Sequence, residues 1–112
     1  MNALKNKVQL IGNLGMNPEI VNFDNGKKIA KFTLATNEVF KTSDGESKTK
    51  TYWHNVVAWG KLAETAQKYL EKGQKLSIEG KLTYRQYEDK NKQTKYITEI
   101  VMDGMEMHGK KN

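Results

Sequence analysis

The sequence predicts an all-β domain with one α-helix, built as a five-stranded, partly closed barrel. Short segments that alternate apolar and polar side chains recur along most of the chain, as strands with one buried face do. One segment between the third and fourth strands has helical spacing instead. Closing such short strands into a barrel removes exposed sheet edges. The chain of 112 residues has the length of a single ordinary domain.

The first three predicted strands are separated by turn residues. Alternation begins at Val8 and resumes over residues 30–34, after an Asp-Asn-Gly turn at residues 24–26. Asn-Gly favours such a turn because both residues tolerate the positive φ values that a tight hairpin needs. The polar stretch over residues 41–50 is predicted to be a loop. Residues 52–59, rich in aromatic and β-branched side chains, form the third strand.

The helix and the last two strands follow. Four apolar residues recur at helical spacing within residues 61–72, namely Leu62, Ala66, Tyr69 and Leu70. Gly73 then occupies the position expected of a C-cap glycine. Leu76, Ile78 and Leu82 alternate with polar residues in a fourth strand. A polar loop at residues 88–94 leads to a fifth strand over residues 96–107.

Composition excludes several classes of protein. There is no cysteine, which rules out disulfide scaffolds, zinc fingers and thiol catalysis. We see no secretory signal or apolar run of membrane-spanning length, so we expect a cytoplasmic protein with no membrane partner. The net charge of +6 and the pI of about 9.4 suit an acidic partner such as nucleic acid. Arg85 is the only arginine, and lysines favour phosphate contacts over the reading of base edges.

Residues for catalysis or metal binding are not evident. His54 and His108 are far apart in sequence, and no spacing typical of a metal site is present. The pair Glu88-Asp89 lies in a lysine-rich turn, where we expect it to be solvated. The Gly-Asn-Leu-Gly stretch at residues 12–15 lacks the ending of a phosphate-binding loop. We therefore predict a protein that is not an enzyme and that needs no metal or other cofactor.

Aromatic and basic residues are interleaved on the strands. Trp53 and Trp59 are six residues apart, so a strand presents both on one face. A core position is the usual explanation for such a pair. The fourth strand, however, has a face opposite to its core residues that carries Lys81, Thr83, Arg85 and Tyr87. A core would not accept that mixture, whereas single-stranded nucleic acid would, because its bases stack on aromatic rings and its phosphates pair with cations.

Some positions are left open by the pattern. Phe40 has the parity of Leu34, which points it inward, although a bulge or the strand end would redirect it. The lysines of two predicted loops would extend a positive track for the nucleic acid, with ordinary surface lysine as the alternative for each. These lysines are Lys41, Lys48 and Lys50 in the first loop, and Lys90, Lys92 and Lys95 in the second.

Several of these motifs together resemble the bacterial-type single-stranded DNA-binding proteins. The similarity lies in residues 6–15, 53–64, 69–73 and 78–82, in the family's order, and extends over about residues 4–107. It implies a Greek-key OB-fold domain over residues 1–107, with a short basic end, residues 108–112, that we expect to be disordered. It also implies a nucleoid-associated homotetramer that binds and protects single-stranded DNA, whatever its sequence, during replication, recombination and repair.

The resemblance also implies roles for five residues. The family's base-stacking aromatic positions fall on Phe40, Trp53, Trp59 and Tyr87, which supports Phe40 as a DNA contact where parity leaves it open. The family's histidine at a subunit interface falls on His54.

One family feature is not matched, and other functions remain. Relatives typically end in an acidic tip that recruits replication and repair enzymes, whereas this sequence ends in basic residues, so we do not expect recruitment by that route. An RNA-binding or primosome-type OB-fold interaction module would share much of the pattern. An OB-fold nuclease is the alternative among enzymes.

Overall fold

Six strands and one helix make up residues 5–108, the part of the chain that the computed structural model describes. In chain order these elements are β1 (Lys7–Leu14), β2 (Glu19–Asn22), β3 (Lys28–Lys41), β4 (Ser47–Trp59), α1 (Lys61–Tyr69), β5 (Lys75–Glu88) and β6 (Thr94–His108). In the described residues, no helix is long and apolar enough to cross a membrane.

The five longer strands close into a barrel. The strand order is β1-β5-β6-β4-β3-β2, and β1 also pairs with β3 through Asn13↔Ala35 and Leu14↔Leu34. On the other side, β4 and β6 run parallel and pair at Val57↔Val101. Gly12 permits the β1–β3 contact, because a Cβ at this position would collide with the carbonyl oxygen of Ala35. Closure gives each long strand a neighbour on both sides, as the sequence predicts.

The core fills the barrel from one face of each strand. Leu34, Val56 and Leu76 are the largest completely buried side chains. The helix adds Ala63 and Ala66, which lie on its buried face, while its other side carries polar residues. Each strand therefore has an inner face, which carries these core residues, and an outer face that is free for other uses.

Two hairpins extend well beyond the barrel, and here the loop prediction for residues 41–50 is wrong. Strand β3 continues to Lys41 and β4 begins at Ser47, with only residues 42–46 in the turn. Polar side chains suggested a loop, but strand pairing satisfies the backbone whatever the side chains are. The second hairpin follows the prediction: β5 reaches Glu88 and β6 begins at Thr94, so the loop predicted at residues 88–94 is confirmed to within one residue at each end.

Three further details differ from the sequence prediction. Strand β2, with four residues, was not predicted; it pairs with β3 across the predicted Asn-Gly turn. The helix ends at Tyr69 rather than at residue 72, because the chain becomes extended at Leu70. Gly73 is therefore not a C-cap: it lies in the following turn at φ 91°, and its N–H donates to the Leu14 carbonyl at 2.8 Å. Of the predicted basic end, His108 is the last residue of β6, and residues 109–112 lie outside the described residues.

Candidate nucleic-acid interface

Both tryptophans lie on the outer face of β4. Trp53 pairs with Ala35 and Trp59 pairs with Ile29 of β3. Their exposed fractions are 63% and 47%, so neither indole is part of the barrel core. The strand period places them on one face, as predicted, and the neighbouring Val56 and Ala58 occupy the inner face. The core explanation for this tryptophan pair is therefore wrong.

The indole of Trp53 lies over a glycine. A Cβ added to Gly15 would collide with this ring and would lie 2.6 Å from Thr33 Oγ1. The backbone N–H of Gly15 donates to the Thr33 carbonyl at 2.9 Å, which fixes this segment against β3. Gly15 thus gives Trp53 room to lie close to the sheet with its other side in solvent.

The other indole has an aromatic neighbour that the sequence analysis did not single out. Phe23, in the turn between β2 and β3, stacks on Trp59 with ring centroids 6.4 Å apart and an interplanar angle of 13°. Phe23 is itself 43% exposed. The sequence contains a signal for this position: Phe23 comes two residues after Val21, directly before the turn at residues 24–26. Alternation therefore predicts that Phe23 and Val21 lie on the same face.

The predicted polar strip on β5 lies on the outer face. Leu76 and Ile78 are buried, and the opposite face carries Lys81, Thr83, Arg85 and Tyr87. Across the strand pair these four residues are matched by Val101, Glu99, Ile97 and Lys95 of β6. Because β4 pairs with β6, this strip and the two tryptophans belong to the same outer surface of the barrel. Tyr87 is 47% exposed.

Arg85 is held by an acidic partner. Its guanidinium donates from Nε to Glu99 Oε1 at 2.9 Å and from Nη2 to Glu99 Oε2 at 3.1 Å. These hydrogen bonds and the charge of Glu99 raise the pKa of Arg85. The pair lines a groove of about 200 Å³ between β3, β4 and β6, together with Lys31 and Asn55. Two of the N–H groups of Arg85 are thus already used within the protein.

The β3–β4 hairpin presents the remaining aromatic residue on its other face. Phe40 pairs with Lys48, and Lys50 pairs with Glu38, so Phe40, Lys48 and Lys50 share the parity of Leu34. The ring of Phe40 is nevertheless 44% exposed, because the hairpin has already left the barrel at this point. The parity of Phe40 predicts its strand face correctly, but beyond the barrel that face is exposed to solvent and does not contact the core.

The remaining predicted lysines occupy the hairpin ends. Lys41 is the last residue of β3 and has the parity of Ala35, the residue paired with Trp53. Lys90 and Lys92 lie in the turn between β5 and β6, where Lys92 has a positive φ of 61°. Lys95 lies on β6, with its Nζ 4.0 Å from Asp89 Oδ2. The cations are therefore spread over both hairpins instead of forming one cluster.

Comparison with known proteins identifies the family. The single-strand binding protein family matches residues 5–108. The chain belongs to this family. It is also 48% identical, over 108 residues, to the single-stranded DNA-binding protein 1 of Chlorobaculum tepidum, covering 96% of this chain and 67% of the relative.

Solved structures in the single-strand binding protein family have the same barrel. A Plasmodium falciparum SSB in complex with ssDNA has a TM-score of 0.84 and 34% identity, over 97% of this chain and 100% of that one. A deletion mutant of the Thermus aquaticus single-stranded DNA-binding protein has a TM-score of 0.80 and 30% identity, over 93% of this chain and 50% of that one. The predicted OB-fold is thereby confirmed, with β2 as an additional short strand.

Family membership also settles the general kind of activity. Single-strand binding proteins are DNA-binding proteins and not enzymes, so this chain is a non-enzymatic single-stranded DNA-binding protein, as the sequence analysis predicts. In the described residues, no group of three or more His, Asp or Glu side chains could hold a metal ion.

His54, which the family resemblance assigns to a subunit interface, lies on the inner face of β4 beyond the core. Its Nε2 is 3.0 Å from Thr36 Oγ1, and the residue is partly buried. Burial lowers the pKa of His54, because removal from water disfavours the charged imidazolium. Within one chain it is thus a partly buried, hydrogen-bonded histidine on the hairpin that leaves the barrel.

Proposed function

We propose that this protein coats single-stranded DNA without regard to sequence, and so protects it during replication, recombination and repair. The bases of the DNA stack on Trp53, Trp59, Phe40 and Tyr87, and the phosphates of the DNA are neutralised by lysines. The observation that carries the proposal is the exposure of both indoles on one face of β4, next to the Lys81–Tyr87 strip. The Plasmodium falciparum relative in complex with ssDNA supports it.

Exposed aromatic rings suit a single strand because its bases have free π-faces. Stacking on an aromatic side chain contributes about 1–3 kcal/mol per base and is tolerant of sequence. In a duplex those faces are covered by neighbouring base pairs, so the rings gain little from it. Phe40 and Tyr87 have smaller rings than tryptophan and should contribute less than the two indoles.

The lysines are arranged for a strand that passes around the barrel. Lys81 lies on the outer face, Lys48 and Lys50 lie with Phe40 on the other face of the β3–β4 hairpin, and Lys90 and Lys92 lie at the end of the β5–β6 hairpin. We therefore place the DNA along the outer face and around both hairpins. Arg85 contributes less to phosphate binding than its sequence position suggested, since Glu99 holds it.

We also propose that the protein is a homotetramer, with His54 at a subunit interface. The family resemblance supports this, as does a large apolar side chain on the outer face of β1: Ile11 is 60% exposed in the single chain. Light scattering of the protein without DNA should give four times the chain mass of 12.8 kDa. A mass of one chain at micromolar concentration would contradict the proposal.

The test of DNA binding uses the protein's own fluorescence. Trp53 and Trp59 are the two tryptophans of the sequence, so quenching on titration with oligo-dT reports directly on the proposed stacking sites. Trp53→Ala should weaken binding by about 1–3 kcal/mol while leaving thermal unfolding nearly unchanged, because the ring is mostly exposed. Tyr69→Ala, at an exposed aromatic position on α1, is the control and should bind normally.

Competition separates this function from the alternative of an RNA-binding module. Oligo-dT should displace a labelled DNA strand, while oligo-rU should compete more weakly and duplex DNA should compete least. Equal competition by oligo-rU, or unchanged binding by Trp53→Ala, would contradict the proposal.

A further inference from the structure

Phe23 is an exposed aromatic residue outside the four aromatic positions considered so far. We propose that Phe23 binds a nucleobase of the single strand and so extends the binding surface beyond Trp59 by one base. The inference rests on the proposed function in one respect, namely that Trp59 stacks on bases. It adds a position that neither the spacing of the tryptophans nor the lysine pattern indicates.

The turn holds Phe23 firmly in place. Its N–H donates to the Lys27 carbonyl at 2.8 Å, and its carbonyl accepts from the N–H of Gly26 at 3.0 Å. Gly26 has a φ of 85°, and Asn25 Oδ1 accepts from the Lys27 N–H at 3.1 Å. A base that stacks on this ring would therefore meet a side chain already ordered by its backbone, which reduces the entropy lost on binding.

The geometry of the pair suits consecutive bases. The Phe23 and Trp59 rings are 13° from parallel, and their centroid separation of 6.4 Å is within the usual range of aromatic pairs. Bases stacked on the two rings would thus be almost parallel to each other. Both rings keep more than two fifths of their surface in solvent.

A cation for an adjoining phosphate is also present, since Lys27 follows in the same turn and is exposed. Lys28 does not serve here: it has the parity of Ala30, on the face opposite to Trp59, and its Nζ donates to Gln67 Oε1 of the helix at 2.8 Å. This turn therefore combines an exposed aromatic ring, Phe23, with a lysine four residues later, Lys27. The proposed function depends on the same combination of a ring for a base and a lysine for a phosphate.

The competing role for Phe23 is apolar cover. Ile29 pairs with Val21 on one side and with Trp59 on the other, and it is only 6% exposed although it lies on the outer face of β3. A cover needs apolar volume alone, whereas a base needs a π-face. Phe23→Leu keeps much of the volume and removes the ring, and Phe23→Tyr keeps both, so this pair of variants separates the two roles.

The experiment measures oligo-dT affinity for Phe23→Leu, Phe23→Tyr and Trp59→Leu, with Tyr69→Leu as the matched control on α1. Loss of one stacking contact corresponds to a factor of about 5 to 150 in affinity. We expect Phe23→Leu to lose at least about fivefold and Phe23→Tyr to stay within about twofold of the native protein. Native affinity of Phe23→Leu, with a loss for Trp59→Leu, would overturn this inference and leave the proposed function intact. Native affinity of both leucine variants would contradict Trp59 stacking itself.

A second measurement does not depend on how the variants fold. The unaltered protein is irradiated with oligo-dT that carries 5-iododeoxyuridine at single positions, and the cross-linked residues are identified by mass spectrometry. Cross-links to Phe23 in addition to Trp59 support the inference. Cross-links to Trp59 with none to Phe23 from any position would overturn it.

Discussion

At the scale of single residues, the Arg85–Glu99 pair shows how a local contact changes the role that a sequence assigns. Arg85 was predicted to contact phosphate, but its guanidinium makes two hydrogen bonds to Glu99, whose side chain is only about 10% exposed. A carboxylate on the binding face also repels phosphate. The pair therefore fixes the position of Arg85, which stays charged, but the negative charge of Glu99 offsets that charge toward a phosphate.

Glu99→Gln should strengthen binding to single-stranded DNA. The amide keeps the size of the side chain and one acceptor, removes the negative charge, and leaves a half-exposed guanidinium free to neutralise a phosphate. Titration at several salt concentrations should show higher affinity at low salt and a steeper salt dependence. Lower affinity in the folded variant would contradict this interpretation and indicate that Glu99 is needed to orient Arg85.

A pH dependence is expected from His54. Its pKa is lowered in the folded chain from the ordinary value of 6.5, so the unfolded chain binds a proton first as the pH falls. The contribution of His54 to the free energy of unfolding is therefore fully present above about pH 7.5, and it is lost progressively as the pH drops below about 6.5. Urea unfolding across this interval should show the loss.

His54→Gln serves as the control for this titration. It removes the titrating group but keeps a side chain able to hydrogen-bond with Thr36. The decrease in the free energy of unfolding between about pH 7.5 and pH 5.5 should be smaller in this variant. An equal decrease would assign the pH dependence to other groups.

At the scale of elements, the β3–β4 hairpin is the main departure from the sequence prediction. Beyond the barrel the β3–β4 and β5–β6 ribbons are exposed on both faces. Residues 41–50 of the first ribbon therefore lack the alternation that identifies a half-buried strand. Cross-strand contacts such as the hydrogen bond from Thr51 Oγ1 to Asn37 Oδ1, at 2.7 Å, join polar side chains of the two strands next to the predicted loop. These ribbons carry Phe40, Tyr87 and most of the predicted DNA-binding lysines.

Barrel closure between β1 and β3 depends on Gly12. A methyl group there would collide with the backbone oxygen of Ala35, which cannot move without separating the two strands. Gly12→Ala should therefore reduce the free energy of unfolding by about 1–3 kcal/mol, the usual cost of overpacking. Gly104→Ala is a matched control, since its nearest new contact is Glu79 Cβ at 3.9 Å. Equal stability of the two variants would contradict the closure argument.

At the scale of the whole molecule, the distribution of lysines predicts how binding responds to salt. The logarithm of the affinity for oligo-dT should fall linearly with the logarithm of salt concentration, with a slope of about −0.7 for each phosphate neutralised. Replacing Lys48 and Lys50 together by glutamine should make the slope less negative by about 1.4 for each chain that contacts the DNA, if each lysine neutralises one phosphate. Lys68→Gln, on α1, should leave it unchanged. An unchanged slope in the double variant would show that Lys48 and Lys50 of the β3–β4 hairpin do not contact the phosphates of the DNA.

Much of the site follows from the sequence because the direction of a strand side chain is local. The six-residue spacing of Trp53 and Trp59 puts them on one face whatever the partner strand is, and the alternation of Leu76 and Ile78 puts Lys81 on the other side of β5. The class of fold, the barrel and the position of the helix follow from the same periods. Family resemblance, carried by motifs spread over most of the chain, then gave the kind of ligand.

Tertiary structure alone decided which of those faces meet and which are accessible. Strand pairing brings the tryptophans and the β5 strip to one outer surface, places Phe23 on Trp59, and joins Arg85 to Glu99. Phe40 has the parity of the core residues, but its side chain is exposed to solvent because the hairpin extends past the end of the barrel. The physical reason is that a period fixes side-chain direction within one strand, whereas contact and exposure depend on the register and length of strands distant in sequence.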